Sequence, residues 1–316
     1  MEQEAHRMKR VFIDGSSGTT GLRIHERLSQ RSDIQLVTIP EAQKKDSAVK
    51  REMLNDGCDI AFLCLPDDAA REAVAMAENP DVVILDTSTA HRTDPRFTYG
   101  FPELSAAHWD AVKNAKRIAV PGCHASGFIA LVYPLVEAGL LDPGAKLVCH
   151  SLTGFSGGGK NMIAAYGEGD RSPLLKAPRQ YGIAQTHKHL KEMAHVTGLE
   201  NAPVFCPIVA DFYSGMEATV ALFGSDLKGT KEDVKAVYSG KYTGPIVTFS
   251  ESADECGFLS AGAFSGRDGM EIAVYGNADR MILTARYDNL GKGASGAAVQ
   301  CLNLVLGTDE TTGLTL

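Results

Sequence analysis

Four stretches of this 316-residue chain carry residue types that could do chemistry. In "VPGCHAS", residues 120–126, Cys123 follows a Pro-Gly turn and precedes an apolar helical run. The dipole at a helix N-terminus favours the thiolate, which is the nucleophilic form of cysteine. A thiol merely packed behind a turn is the competing reading. "QTHKHLKEM" supplies His187 and His189, either of which could act as acid or base for such a thiol. Residues two apart do not share a helix face, so a continuous helix here would aim at most one of them at the cysteine. "GFSGGGK", residues 154–160, exposes backbone N–H groups at Ser156, Gly157 and Gly158 and adds the cation of Lys160. That pattern suits an anion, and a flexible loop is its alternative. Arg171 and Arg179 could extend an acidic-substrate pocket or stand as plain surface residues.

The fourth stretch is "DGSSGTTGLRI". Gly15, Gly18 and Gly21 recur every three residues, with Ser16, Thr19 and Thr20 between them, after an apolar strand and before a helical pattern. A tight turn there lets a pyrophosphate approach the backbone and meet the helix N-terminus. The G-x-x-G-x-x-G spacing differs from the commoner G-x-G-x-x-G, but its strand–turn–helix setting points to a dinucleotide. After the second strand, "TIPEAQKKD" offers Glu41 for a ribose hydroxyl and Lys44 or Lys45 for a 2′-phosphate. NADP is the expected cofactor, with these residues leaving the choice open.

A nicotinamide site, a thiolate and an imidazole together suit chemistry between an acyl phosphate and an aldehyde. The thiolate displaces phosphate to give a thioester, hydride converts this to a thiohemiacetal, and collapse yields aldehyde while the imidazole moves protons.

These groups need elements to hold them. Residues 11–13, 34–39, 59–66 and 82–88 read as strands alternating with helical segments, the signature of a parallel sheet with crossover helices. Beyond residue 121 the pattern changes to a helix over 126–141, a strand over 145–153, and further alternating runs over 202–224 and 269–290. "GKGASGAAVQCLNLVLG" reads as a last helix that must dock elsewhere. The expected fold is α/β: a Rossmann-type dinucleotide-binding domain plus an α+β catalytic domain with a mixed sheet.

Composition narrows the alternatives. The chain is 44% hydrophobic and 22% charged, which is ordinary for a globular protein. A net charge of −8 argues against general affinity for nucleic acid or anionic membrane. Seven scattered cysteines without a C-x-x-C fit neither a zinc site nor a disulfide framework, so no metal is expected. Reduced thiols suit a cytoplasmic enzyme. "MEQEAHRMKR" lacks the apolar core of a signal peptide, and no apolar run is long enough for a membrane span.

The quoted motifs, with "FLCLPDDAA", "LDTSTAHR", "YGFPEL" and "NLGKGASGAAVQCLNL", run nearly end to end. As a set they resemble the N-acetyl-gamma-glutamyl-phosphate reductase family in its shorter form, within the semialdehyde dehydrogenase superfamily. The resemblance implies NADPH-dependent reduction of N-acetyl-glutamyl 5-phosphate to the 5-semialdehyde with release of phosphate, in arginine biosynthesis. It implies Cys123 as nucleophile and His187, with His189 close behind, as acid/base. Ser88, Asn289, Gly291 and Gly293 are then expected beside the cofactor with the glycine turn and Lys44, and Arg92 beside the substrate with Ser156, Gly157, Gly158 and Lys160. Lys191 stands where longer members carry a proline. The implied domains are 1–122 with 290–316 for NADP, and 123–289 for catalysis and assembly into a homodimer or homotetramer. The competing functions are an aspartate-semialdehyde-dehydrogenase-like enzyme, a non-catalytic NADP-binding sensor and a cysteine hydrolase. A sensor would not need the cysteine, the histidine pair and the anion loop together, and a hydrolase would not need the glycine turn.

Overall fold

The computed structural model describes residues 7–167 and 169–316. Most of the leader reading falls on residues 1–6, outside the described residues.

The first sheet contains β1 (Lys9–Asp14), β2 (Ile34–Val37), β3 (Ile60–Leu63), β4 (Val83–Asp86), β5 (Thr98–Tyr99) and β6 (Arg117–Ala119), in the spatial order β2-β1-β3-β4-β6-β5. Every pairing in it is parallel. Parallel neighbours need crossovers, which put apolar helices on both faces. On one face α1 (Thr19–Leu28) buries Ile24 and Leu28 in a core shared with Val11, Phe62 and Leu85. On the other face Phe12, Leu63 and Ile84 pack with Leu54, which follows α2 (Ser47–Glu52), and with Ala73 of α3 (Asp67–Met76). The short β5 and β6 flank α4 (Ala106–Asn114).

The second sheet comprises β7 (Val148–Gly154), β8 (Arg179–Gln180), β9 (Val204–Ala210), β10 (Met216–Phe223), β11 (Val247–Phe249), β12 (Met270–Gly276) and β13 (Arg280–Tyr287). Its order is β11-β12-β13-β10-β7-β9-β8, mixing parallel and antiparallel pairs. Alternation along β7 and β10 buries Cys149, Ser151, Met216, Ala218 and Val220 on one face. That face packs on α5 (Cys123–Glu137), α7 (His189–Thr197) and α8 (Lys231–Lys241). The remaining helices are α6 (Gly159–Gly167) and α9 (Gly296–Leu306). Ala298, Cys301 and Leu302 of α9 join the core of the first sheet beside Val11 and Ile60.

Two boundaries differ from the sequence reading. α5 begins on Cys123 itself, because Gly122 is its extended N-cap (φ −78°, ψ 144°). α7 begins only at His189, so His187 lies outside the helix and the helix-face restriction on the pair lapses.

Candidate active site

The strand order reverses between β1 and β3, and dinucleotides bind at such switch points. The turn after β1 is locked against the end of β3. Gly15 has φ +82°, and a Cβ on it would lie 2.2 Å from the carbonyl oxygen of Cys64. Gly18 is different: an added Cβ would meet only the Gly15 carbonyl oxygen, at 3.4 Å, so the protein itself leaves room there. No side chain caps the first turn of α1. An uncapped helix N-terminus beside open space suits an anion, and the residues present fit a dinucleotide pyrophosphate. Two cavities flank this turn. One, of about 430 Å³, is lined by Gly15, Ser16, Ser17, His25 and Lys44. Lys44 pairs with Glu41 at 2.6 Å, which offsets an acid that would otherwise repel a 2′-phosphate. Lys45 is exposed.

The other is a cleft of about 670 Å³ between the two domains, holding Cys123, His187 and His189. Gly18, Thr19, Thr20 and Gly21 reach it from the glycine turn, and Ser88 from the end of β4. Ser156, Gly157 and Gly158, the loop expected to hold an anion, line it as well. Asn289 fixes that loop: its Nδ2 donates to Ser156 Oγ at 2.9 Å, and its Oδ1 accepts from the Gly215 N–H at 3.0 Å. Gly293 lines the cleft against Cys123, since a Cβ there would stand 3.1 Å from that of the cysteine. Gly291 packs instead on the Arg267 carbonyl, and Lys160 is exposed on α6, outside the cleft lining. Arg171 is held by Asp211, and Arg179 by Tyr166.

Cys123 is held by contacts that its spacing did not announce. The Gly122 N–H donates to Glu192 Oε1 at 2.8 Å, and Tyr99 Oη donates to the same oxygen at 2.8 Å. Tyr287 Oη donates to the Cys123 carbonyl at 2.6 Å. Arg92 donates to the carbonyls of Val120 and Thr87, each at 2.9 Å, and to Glu192 at 3.1 Å. It therefore braces the turn before the cysteine while one edge faces the cleft. Glu192 closes the same "HKHLKE" motif that carries the histidines, which was the available signal for it. His124 was visible only as the polar residue after the cysteine; Tyr181 lay in no motif.

Electrostatics correct the expectation of a resting thiolate. Burial pushes the Cys123 thiol up; Arg92, the His124 N–H and Lys188 pull against this, and Glu192 adds to it. Desolvation outweighs the helix dipole, so Cys123 rests as a thiol. Burial also holds His189 well below the ordinary imidazole range, with Arg92 adding to the effect, and it lowers His187. Both rings are neutral at pH 7. The His187 Nδ1 accepts the His189 N–H at 3.3 Å, which leaves the His187 proton on Nε2. His189 is buried with its Nδ1 unpartnered, and its Nε2 edge lies against Gly122. Among the described residues no His/Cys/Asp/Glu cluster could hold a metal ion.

A parallel nucleotide-type sheet and a mixed-sheet domain thus enclose one cleft that holds Cys123. The family model for the semialdehyde dehydrogenase NAD binding domain matches residues 10–112, and that for the semialdehyde dehydrogenase dimerisation domain matches 123–289. Among solved structures, aspartate semialdehyde dehydrogenase II of Vibrio cholerae, complexed with ASA, superposes with a TM-score of 0.72 at 16% identity, over 95% of this chain and 99% of that one. The Candida albicans aspartate semialdehyde dehydrogenase with NADP gives 0.64 at 16% identity, over 96% of this chain and 99% of that one. At such identities these likenesses establish the fold alone. The closer kinship is in sequence. N-acetyl-gamma-glutamyl-phosphate reductase of Sinorhizobium medicae is 44% identical, over 94% of this chain and 98% of the relative. That of Burkholderia lata is 43% identical, over 95% and 97%. The chain belongs to the N-acetyl-gamma-glutamyl-phosphate reductase family.

The room at Gly18 makes a clean test of the cofactor site. Gly18→Val should fold, because the protein tolerates a Cβ there, but its branched side chain would occupy the space a pyrophosphate needs. A fluorescence titration should show NADPH affinity falling by at least ~10-fold, about 1.4 kcal/mol, with the melting temperature little changed. Unchanged affinity would remove the pyrophosphate from this turn.

Proposed function

We propose that this protein reduces N-acetyl-L-glutamyl 5-phosphate to N-acetyl-L-glutamate 5-semialdehyde with NADPH, releasing phosphate, as a step of arginine biosynthesis. The observation that carries the reading is a single cleft in which a helix-terminal cysteine, two neutral imidazoles, a glycine anion loop and a dinucleotide turn converge. Gly15, Ser16, Gly18, Thr19, Thr20 and Gly21 hold the cofactor's phosphates, Lys44 its 2′-phosphate, and Ser88, Asn289 and Gly293 its far end. When bound, the nicotinamide supplies the hydride that reduces the acyl group carried on sulfur.

The chain's own residues prepare that acyl group. Ser156, Gly157 and Gly158 hold the substrate's anionic end, and Arg92 supplies positive potential beside the turn. The arriving anion favours imidazolium over imidazole, which offsets the burial that keeps His189 neutral. His189 then takes the Cys123 proton. The sulfur bonds to the acyl carbon, the carbon–oxygen bond to phosphate breaks, and phosphate leaves with a hydrogen bond from the His187 Nε2–H. The thioester remains on Cys123. The protein works as a homodimer or homotetramer through its second domain, whose open sheet face displays Val148, Val204 and Ile282. Its seven free cysteines fit the cytoplasm.

The test runs the reaction in reverse. With N-acetyl-glutamate semialdehyde, NADP reduction should require phosphate, and aspartate semialdehyde should be at least ~10²-fold poorer in kcat/KM, about 2.7 kcal/mol. Equal or better turnover of aspartate semialdehyde would give the protein a different substrate, and no turnover of either would leave a binding protein.

A further inference from the structure

His124, the residue after the nucleophile, has no part in the chemistry described so far. Its ring is buried between two hydroxyls: Nδ1 lies 2.7 Å from Ser151 Oγ, and Nε2 lies 2.6 Å from Tyr181 Oη. Burial, reinforced by His187, pushes its pKa down to about 3, so the ring carries one N–H at neutral pH. That proton has two possible seats, and the two hydroxyls are not equivalent. Ser151 is fully buried on the helix-facing side of β7. It has no second side-chain hydrogen bond among the described residues. Tyr181 is partly exposed and lines the cleft with Cys123 and His187.

A proton on Nδ1 would donate to Ser151 and strand the serine's own O–H, buried with no acceptor. Stranding a buried donor is the costly arrangement. A proton on Nε2 satisfies both ring nitrogens and the serine: Ser151 donates to Nδ1, and Nε2–H donates to Tyr181 Oη. The phenolic proton then has no acceptor among the described residues and is available to whatever occupies the cleft.

We propose that Tyr181 is a catalytic residue of this enzyme: its O–H, freed by the Ser151–His124 pair, donates a hydrogen bond to the acyl oxygen that gains negative charge as Cys123 adds to the carbonyl carbon. No proton is transferred in this role. Burial and the neighbouring Cys123 push the Tyr181 pKa up, which keeps the phenol neutral and a donor. Donors aimed at developing charge in a dry cleft act mainly on the chemical step. Ser151 and His124 are positioning residues that select the direction of this hydrogen bond. The inference rests on Cys123 being the nucleophile.

Tyr181→Phe removes one oxygen and keeps the ring. Its kcat should fall by about 10²–10³-fold, while KM for N-acetyl-glutamate semialdehyde, NADPH affinity and melting temperature stay near wild type. A kcat within threefold of wild type would overturn the role, as would a loss matched by equal losses in NADPH binding or melting temperature. If Cys123→Ser is inactive while Tyr181→Phe keeps wild-type turnover, the tyrosine falls and the reaction stands. A second measurement needs no variant to fold differently. Two-bond proton–nitrogen spectra of the wild-type protein labelled with 15N-histidine should show His124 protonated on Nε2 at pH 7. A proton on Nδ1, or on both nitrogens, would overturn the proposal.

Discussion

Cys123→Ser should leave a folded, NADPH-binding protein whose turnover is at least ~10³-fold below wild type, about 4 kcal/mol in the barrier. The substitution barely changes volume, and the carbonyl contact from Tyr287 and the Gly122 contact to Glu192 involve only backbone atoms of this turn. A structural thiol would therefore tolerate it. A nucleophile would not, since a serine hydroxyl attacks weakly without a dedicated base and an ester accepts hydride less readily than a thioester. Variants should be compared by steady-state kinetics, NADPH titration and melting temperature. More than a tenth of wild-type turnover would mean that Cys123 only packs.

The second large effect belongs to the imidazoles. Since Cys123 rests as a buried thiol, something must take its proton. His189→Asn removes the ring whose Nε2 edge lies against Gly122, and kcat should fall by about 10²–10⁴-fold. His187→Asn should cost less, since its proposed role is that of a donor to the leaving group. The pH dependence follows from the direction of each shift. A raised thiol pKa keeps Cys123 protonated at pH 7, so iodoacetamide should alkylate the free enzyme slowly there and faster as pH rises through the alkaline range. Lowered imidazole values leave no thiolate–imidazolium pair in the free enzyme, so no acid-side plateau should appear. A plateau near pH 6, or a larger kcat loss in His187→Asn, would overturn this division of roles.

What could be read in the sequence was the chemistry carried on local spacing. The glycine turn, Cys123 and the His187/His189 pair are short motifs whose geometry is set within a few residues, and they meet in one cleft. The central strands β3 and β4 of the first sheet were legible because each is buried along its whole length and reads as an apolar run. The two-residue β5 and β8 were not, since so short a strand has no periodicity. Long-range partners were equally silent. Glu192 reaches Gly122 across 70 residues, and Tyr181 reaches His124 across 57. The resting state of the thiol was misjudged for a related reason. The helix dipole can be read from where a helix starts, whereas the burial that outweighs it comes from elements far away in the chain. Lys160 shows the converse: it completes an attractive motif, yet the α6 start carries it to the surface.

The account stands on a thioester at Cys123 that phosphate can cleave, and this can be seen directly. Incubating the enzyme with N-acetyl-glutamate semialdehyde and NADP in the absence of phosphate removes the final acceptor. Intact-protein mass spectrometry should then show one N-acetyl-glutamyl group per chain, peptide mapping should place it on Cys123, and added phosphate should remove it. An adduct on another residue, one indifferent to phosphate, or none in an enzyme that still turns over, would contradict the mechanism.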